Sequence, residues 1–306
     1  MFEMKRLKPM LATLTTKLPT EDYWLFEPKY DGYRCMLYCD EDGMQLWSRR
    51  GKSFNSSFPS LYTALSAITI DSSLLPVLLD GEMCVLQSPL KASFGHLHNR
   101  SQRHHHITYV GFDCLCLSGH SLVTTPLLER KSKLSFLYDT IKDEQQTISV
   151  APVYRDGTQL FRAIEQEQGE GLIAKVAHSF YYPGQRTTDW LKYKNPQYGC
   201  FFIIAYDKTN GYFHGGVVHN HEVMDVGPFS HGLSSEEREA LIAVIRNNKQ
   251  KEDARYIYVR PSLVVELQYL ELYKGKTRHP RFVSFRLDVK WEDCTWERIN
   301  KNMSYE

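Results

Sequence analysis

Apolar and polar positions along the chain fall mostly into short stretches of period two, with a few stretches at helical spacing. This is the pattern of a mixed α and β protein. A polar leader punctuated by proline runs through residues 5–19, and the apolar segment Tyr23-Trp24-Leu25-Phe26 follows. Next come the charged run Glu27-Pro28-Lys29-Tyr30-Asp31-Gly32-Tyr33-Arg34 and the alternating Cys35-Met36-Leu37-Tyr38. The order predicts two strands joined by a tight turn. Asp31-Gly32 is the hairpin signal, because glycine accepts φ > 0 and lets other groups approach the backbone. Residues 33–38 and 44–48 read as a strand pair across Asp40-Glu41-Asp42-Gly43, and residues 58–68 have helical spacing. An apolar run at 74–79 delivers Asp80-Gly81-Glu82 to the end of a sheet. Further strands are expected at 108–117 and 148–153, and helices at 127–141 and 157–166.

Around Asn195-Pro196-Gln197-Tyr198-Gly199 the character changes. Short alternating strands follow, at 201–206, 212–219, 222–226, 256–260, 263–272 and 282–287. A single helix at 238–247 opens with the N-cap and early acids of Ser234-Ser235-Glu236-Glu237. About five strands with one helix fit an OB barrel. The chain therefore divides into residues 1–196 and 197–306, an α+β protein of two domains, as its 306 residues also favour. Tyr256, Tyr258, Tyr269 and Tyr273 are candidates for stacking on nucleic acid bases or for packing the barrel.

Composition narrows the class. Hydrophobic residues make up 42% and charged residues 24%, as in ordinary soluble proteins. No apolar run approaches the roughly 18 residues that span a bilayer, and no signal-peptide core follows the first residues. Seven cysteines without a CxxC pair predict reduced thiols and a cytoplasmic protein. Cys114-Leu115-Cys116 reads as strand packing, and the histidines at 96, 98 and 104–106 as an exposed loop rather than a zinc site. A net charge of +1 neither demands nor excludes nucleic acid. Basic groups stand at 49–52, 100–106 and 274–281, and a nucleic-acid-binding protein of this charge has to gather such groups on one face.

The chemistry lies in the charged runs. Lys29, Asp31 and Arg34 share one turn, where neighbouring cations favour a free, nucleophilic amine. Those residues alone fit a solvated hairpin tip equally well. A carboxylate on a buried strand, as in Asp80-Gly81-Glu82, needs a partner. In Gly169-Glu170-Gly171-Leu172-Ile173-Ala174-Lys175 alternation groups Glu170 with Ala174. In Arg186-Thr187-Thr188-Asp189-Trp190-Leu191-Lys192-Tyr193-Lys194 it puts both final lysines on one face. Lysines at i and i+2 on an apolar strand repel each other unless an anion lies between them. A polyphosphate suits that pair, and a hard divalent cation suits the carboxylate.

Lys29-x-Asp31-Gly32-x-Arg34 resembles the nucleotidyl-lysine motif of the covalent nucleotidyltransferases: ATP-dependent DNA ligases, RNA ligases and capping enzymes. The companion motifs follow in order: Ser48-Arg49-Arg50-Gly51, Asp80-Gly81-Glu82, Phe112-Asp113, Glu170 to Lys175, and Trp190-Leu191-Lys192-Tyr193-Lys194. Arg286-Leu287-Asp288-Val289-Lys290 is similar to the ligases' C-terminal Arg-x-Asp-Lys element, interrupted by Val289. The resemblance runs from Pro9-Met10-Leu11 to about Trp296. It is greatest to the ligase module of bacterial ligase D, through Ser230-His231-Gly232, Asp189 to Asn195, and Trp291-Glu292-Asp293-Cys294-Thr295.

The resemblance implies an adenylation domain of antiparallel sheets with flanking helices, then an OB domain. It implies that Lys29 attacks the α-phosphorus of ATP, expels pyrophosphate and becomes a lysyl-AMP, with Asp31, Lys192 and Lys194 as further catalytic residues. Glu27, Arg34, Arg49, Glu82, Phe112, Lys175, Arg186, Arg286, Asp288 and Lys290 would hold the nucleotide, with Phe112 stacked on adenine unless it is simply a core aromatic. Glu82 and Glu170 would hold Mg²⁺ or Mn²⁺. The AMP would pass to a 5′-phosphate of nicked or broken double-stranded DNA, and a 3′-hydroxyl would displace it. Ligase D implies end joining with the DNA-end binder Ku and with separate polymerase and nuclease modules, for a stand-alone chain or one end of a longer protein. Two other readings stay open, an RNA ligase or capping enzyme and a non-catalytic nucleic-acid-binding OB module.

Overall fold

The computed structural model describes residues 7–98 and 105–300. The chain divides into two compact units, Met1–Asn195 and Pro196–Glu306. The first holds, in order, β1 (Leu11–Leu14), β2 (Trp24–Pro28), β3 (Tyr33–Asp40), β4 (Gly43–Ser48), α1 (Pro59–Ser66), β5 (Val77–Cys84), β6 (Leu86–Ser88), β7 (Lys91–Ala92) and α2 (Phe94–His98). There follow β8 (Thr108–Leu117), β9 (His120–Ser121), α3 (Leu127–Thr140), β10 (Ile148–Val150), α4 (Gly157–Glu167), β11 (Gly171–Val176) and β12 (Arg186–Lys194). Two main sheets result, one ordered β1-β12-β11-β2 and one ordered β10-β8-β5-β3-β4.

Alternation decides which face each sheet buries. Cys35, Leu37, Leu79 and Cys114 turn toward Leu61 and Leu65 of α1 and Leu134 and Leu137 of α3. The opposite side of the same sheet sends Met36, Tyr38, Leu78 and Leu115 against Trp190 of β12. On the smaller sheet, Leu172, Ala174 and Val176 pack on Leu160 and Ile164 of α4. The two sheets thus stack between helices, and their remaining faces bound a common cleft.

The segment carrying Lys29 departs from the expected hairpin. β2 pairs with β11, and β3 pairs with β4 and β5, so residues 29–32 cross from one sheet to the other. Gly32 is required here by close approach rather than by a positive φ. A Cβ at Gly32 would stand 2.1 Å from the carbonyl oxygen of Met83 on β5. The β3–β4 hairpin forms as expected, with Gly43 at φ 127°.

Ion pairs on three buried carboxylates tie the first unit together. Arg130 on α3 is fully buried and grips Asp113 through two hydrogen bonds of 2.7 and 2.8 Å. It also donates to the carbonyls of Thr125 and Ser179. Arg34 grips Asp80 at 2.5 and 2.6 Å, and the Tyr181 hydroxyl donates to the same carboxylate at 2.6 Å. Glu27 lies between Lys131 at 2.5 Å and Lys175 at 2.8 Å.

The second unit is organised by β13 (Gln197–Asp207), followed by β14 (Tyr212–His219), β15 (Glu222–Phe229), α5 (Ser235–Asn247), β16 (Lys249–Glu252), β17 (Tyr256–Val259) and β18 (Val264–Tyr269). β19 (Leu272–Tyr273), β20 (Lys276–Thr277), β21 (Arg281–Phe285) and α6 (Trp296–Ile299) complete it. β13 pairs with β14 along one edge. On its other edge its first half meets β18 and its last residues meet β17. Phe201, Ile203, Phe213 and Val217 close over Leu241 and Ile245 of α5, a helix that opens on the complete capping box of Ser234 and Glu237. Tyr269 is buried in this core, whereas Tyr256 and Tyr258 stay half-exposed with their rings 5.7 Å apart.

Removing one member of a buried pair leaves the other charge desolvated and alone, at a cost of about 3–5 kcal/mol. Arg130→Met should therefore lower unfolding stability by that amount in urea titrations. Arg130→Met with Asp113→Leu should recover much of the loss. An Arg130→Met protein as stable as the wild type would contradict this account of the pair.

Candidate active site

Strand register lines up the cleft. Cross-strand partners share a face, so Glu27, Ile173 and Lys192 form one row across β2, β11 and β12, and Leu25, Lys175 and Trp190 form the next. Lys194 stands opposite Gly171. The backbone N–H of Lys29, just past the end of β2, donates to the Gly171 carbonyl at 2.8 Å. Lys29 therefore leaves the sheet at the row that holds Lys194.

The Lys29 ammonium is ion-paired with Glu170. Glu170 lies outside the strand ladder and does not share a face with Ala174 as alternation suggested. Gly171 breaks the alternation at φ 137°, where a Cβ would meet the Tyr193 carbonyl oxygen at 2.2 Å. Ala174 turns to α4, while Glu170 turns to Lys29.

Burial pushes the Glu82 carboxyl up to about 8, with Arg34 and Lys29 opposing and Glu170 and Asp31 adding to the rise. The Glu170 carboxyl is also raised by burial, against the pull of Lys29. Three carboxylates and one ammonium thus share a poorly solvated space. On the neighbouring strand Lys192 is lowered by burial and then by Arg186, Lys194, Lys29 and Arg49. Like charges are brought together there, as the Lys-x-Lys spacing suggested. Arg49 is exposed on the turn after β4, whose Gly51 has φ 79°, and Arg186 is exposed at the start of β12.

Behind these groups sits the Glu27 bridge. Lys175 is buried and lowered to about 8, by burial first and by Lys131 next among the lowering causes, while Glu27 opposes the shift. Its ammonium lies 4.5 Å from the centre of the Phe112 ring and 4.3 Å from that of Trp190. The Arg34 guanidinium is also 4.5 Å from Phe112. Phe112 is therefore a half-buried ring held by two cations, and Arg34 is committed to Asp80, to the carbonyl of Met10 and to that ring.

In the second unit, Arg286 makes two hydrogen bonds to Asp288, at 2.9 and 2.7 Å, and one to Glu266 at 3.3 Å. Lys290 is exposed. Among the described residues no group of three or more His, Cys, Asp or Glu side chains is arranged to hold a metal ion. Of the histidine run, His104 lies outside the described residues.

Sequence reasoning missed Lys131 and Arg130. A signal for both existed: Leu127, Arg130, Lys131, Leu134 and Leu137 make one helical stripe that faces the core. Charged residues on an otherwise apolar stripe need buried partners. Tyr181 was missed with no such cue.

Comparisons with known proteins agree with this geometry. A family model for the ATP dependent DNA ligase domain matches residues 9–194. The chain is 30% identical over 309 residues to the bifunctional non-homologous end joining protein LigD of Bacillus subtilis, covering 95% of this chain and 51% of that protein. It is 30% identical over 311 residues to the multifunctional LigD of Mycobacterium tuberculosis, covering 94% and 40%. The chain thus spans about half the length, or less, of these curated relatives. Among solved structures, mycobacterial DNA ligase D complexed with ATP and MES is 28% identical, with a TM-score of 0.59 over 96% of this chain and 99% of that one. The architecture is that of a ligase nucleotidyltransferase domain followed by an OB-fold domain, and the chain belongs to the family of ATP-dependent DNA ligase domains.

Proposed function

We propose that the chain seals 5′-phosphate/3′-hydroxyl breaks in double-stranded DNA through an AMP carried on Lys29. The observation that carries this reading is the meeting of Lys29 with Glu170 at the row of Lys194, beside Lys192 and within reach of Arg49 and Arg186. A triphosphate relieves the repulsion among those cations, and its α-phosphorus then faces the Lys29 amine. The Nζ–P bond forms as the bond to pyrophosphate breaks. Glu170, in contact with the amine, is the first acceptor for its proton. Lys192 and Lys194 stabilise the charge that develops on the phosphoryl oxygens, and Asp31 stands in the same carboxylate group. Phe112 and Glu27, fixed by Lys175, Lys131 and Arg34, form the wall for adenine.

The donors also suit a divalent cation. Mg²⁺ binds through one or two carboxylates plus substrate phosphates, and Glu82 and Glu170 are two half-buried carboxyls that an added positive charge would keep ionised. Mg²⁺ or Mn²⁺ there would neutralise phosphate charge during the transfer. The relatives' names support non-homologous end joining as the setting, and we propose Ku and separate polymerase and nuclease modules as partners. The seven cysteines, all free, support a cytoplasmic location.

The chemistry is tested by incubating the protein with α-labelled ATP and Mg²⁺, followed by denaturing electrophoresis. Wild type should retain label and pass it to nicked DNA as AMP, and Lys29→Ala should retain none. Lys192→Ala or Lys194→Ala should slow labelling by about 10²–10³-fold. Label from GTP alone would indicate capping chemistry instead, and no label from either would sink the reading.

A second outcome follows from Glu82. Its folded value of about 8 exceeds the ordinary 4.5, so between those limits the folded state keeps a proton that the unfolded state has lost. Stability must fall as pH rises through that window. Glu170, also raised by burial, adds in the same direction. Without metal the Tm should drop between pH 5.5 and 8.5, Glu82→Gln should flatten the drop, and Mg²⁺ should stabilise wild type more at pH 8.5 than at 5.5. Equal slopes in wild type and Glu82→Gln would refute this.

A further inference from the structure

The hairpin β6–β7 carries none of the residues assigned above, yet its tip touches both chain segments that do. On one side the Tyr30 hydroxyl donates to the carbonyl oxygen of Pro89 at 2.8 Å. Tyr30 directly follows Lys29 and is buried among Cys84, Ala92, Val110 and Ala151. On the other side Leu90 packs with Leu160, Ile164 and Leu172. A Cβ at Gly169 would stand 2.6 Å from the Leu90 carbonyl oxygen, so the hairpin backbone rests directly on the residue before Glu170. Ser88 is hydrogen-bonded to Glu167, and its hydroxyl accepts from the Leu90 N–H at 3.2 Å, which stiffens the tip.

Lys29 and Glu170 come from parts of the chain far apart in sequence, and both sit where regular strand pairing stops. The β2–β11 ladder aligns their backbones as far as the Lys29 N–H bond to the Gly171 carbonyl, and the hairpin tip adds a contact to each segment one residue from the functional side chain. We propose that residues 86–92 act as a strap that sets the Lys29–Glu170 geometry, with Tyr30 and Leu90 as its positioning residues. Neither touches the reacting atoms. The kinetic part of this inference rests on the reading of Lys29 as nucleophile, and the geometric part does not.

Tyr30→Phe removes only the hydroxyl. Loss of one hydrogen bond of about 1 kcal/mol that acts through alignment should slow single-turnover adenylation roughly fivefold. The KM for ATP should move less than about twofold, because Tyr30 faces Pro89. Leu90→Ala should act in the same direction. Tyr33→Phe, which removes a neighbouring hydroxyl bonded to His98 at 3.0 Å, should leave the rate unchanged. Independently of catalysis, chemical acetylation of Lys29 at neutral pH, read by peptide mass spectrometry without ATP, should rise severalfold in Tyr30→Phe as the ion pair loosens. Unchanged adenylation and unchanged acetylation in both variants, whatever their Tm, would overturn the strap. A rise in KM without loss of rate would also overturn it. If acetylation rises but wild type never takes up AMP, the strap stands and the proposed nucleophile falls.

Discussion

Charge buried between two sheets is the constraint on which the first unit depends. An ion removed from water costs several kcal/mol unless a partner and hydrogen bonds compensate for it. Each buried charge in the cleft accordingly has a dedicated counterion from a different element. Asp113 on β8 takes Arg130 from α3, Asp80 on β5 takes Arg34 from β3, and Glu27 on β2 takes Lys131 from α3 and Lys175 from β11. These pairs join the smaller sheet, the larger sheet and α3 in a way that apolar contacts, which carry no direction, do not. They also leave little freedom in where the side chains around Phe112 point.

The carboxylates nearer Lys29 are treated differently. Glu82 and Glu170 are raised by burial, and one ammonium serves as near neighbour to both. Close by, Lys192 is lowered among Arg186, Lys194, Lys29 and Arg49. Carboxyls that resist ionisation thus adjoin crowded cations. A cation would stabilise the former and a polyphosphate the latter, and on the proposed reading a metal–nucleotide complex would supply both at once.

Much of this was legible because strand chemistry is local. The Lys-x-Lys spacing on β12 set both side chains on one face, and β8 and β14 fall on their expected residues. What was not legible depended on pairing across sequence. The Asp31-Gly32 signal suggested a hairpin, but β2 finds its partner in β11, far downstream, and no local pattern encodes that choice. Glu170 could not be placed by alternation, because Gly171 resets the face. β16, Lys249 to Glu252, has no apolar position and is held as a strand only by β17. Lys131 and Arg130 lie on the buried stripe of α3, and helical spacing over 127–141 alone does not say which carboxylates they meet.

The overturned hairpin explains where the Lys29 side chain lies. At the tip of a hairpin Lys29 would project into solvent, with its ammonium hydrated and its neighbours limited to the same turn. Because residues 29–32 instead bridge two stacked sheets, the side chain enters the space where both sheets converge. There it meets Glu170 from the start of β11 and stands near Glu82 of β5 and Lys192 of β12. The crossing is possible only because Gly32 lets the chain pass within contact of β5, where any Cβ would strike the Met83 carbonyl. The glycine thus belongs to this arrangement as much as the lysine does: one residue supplies the ammonium that meets Glu170, and the other lets the backbone carry it between the sheets.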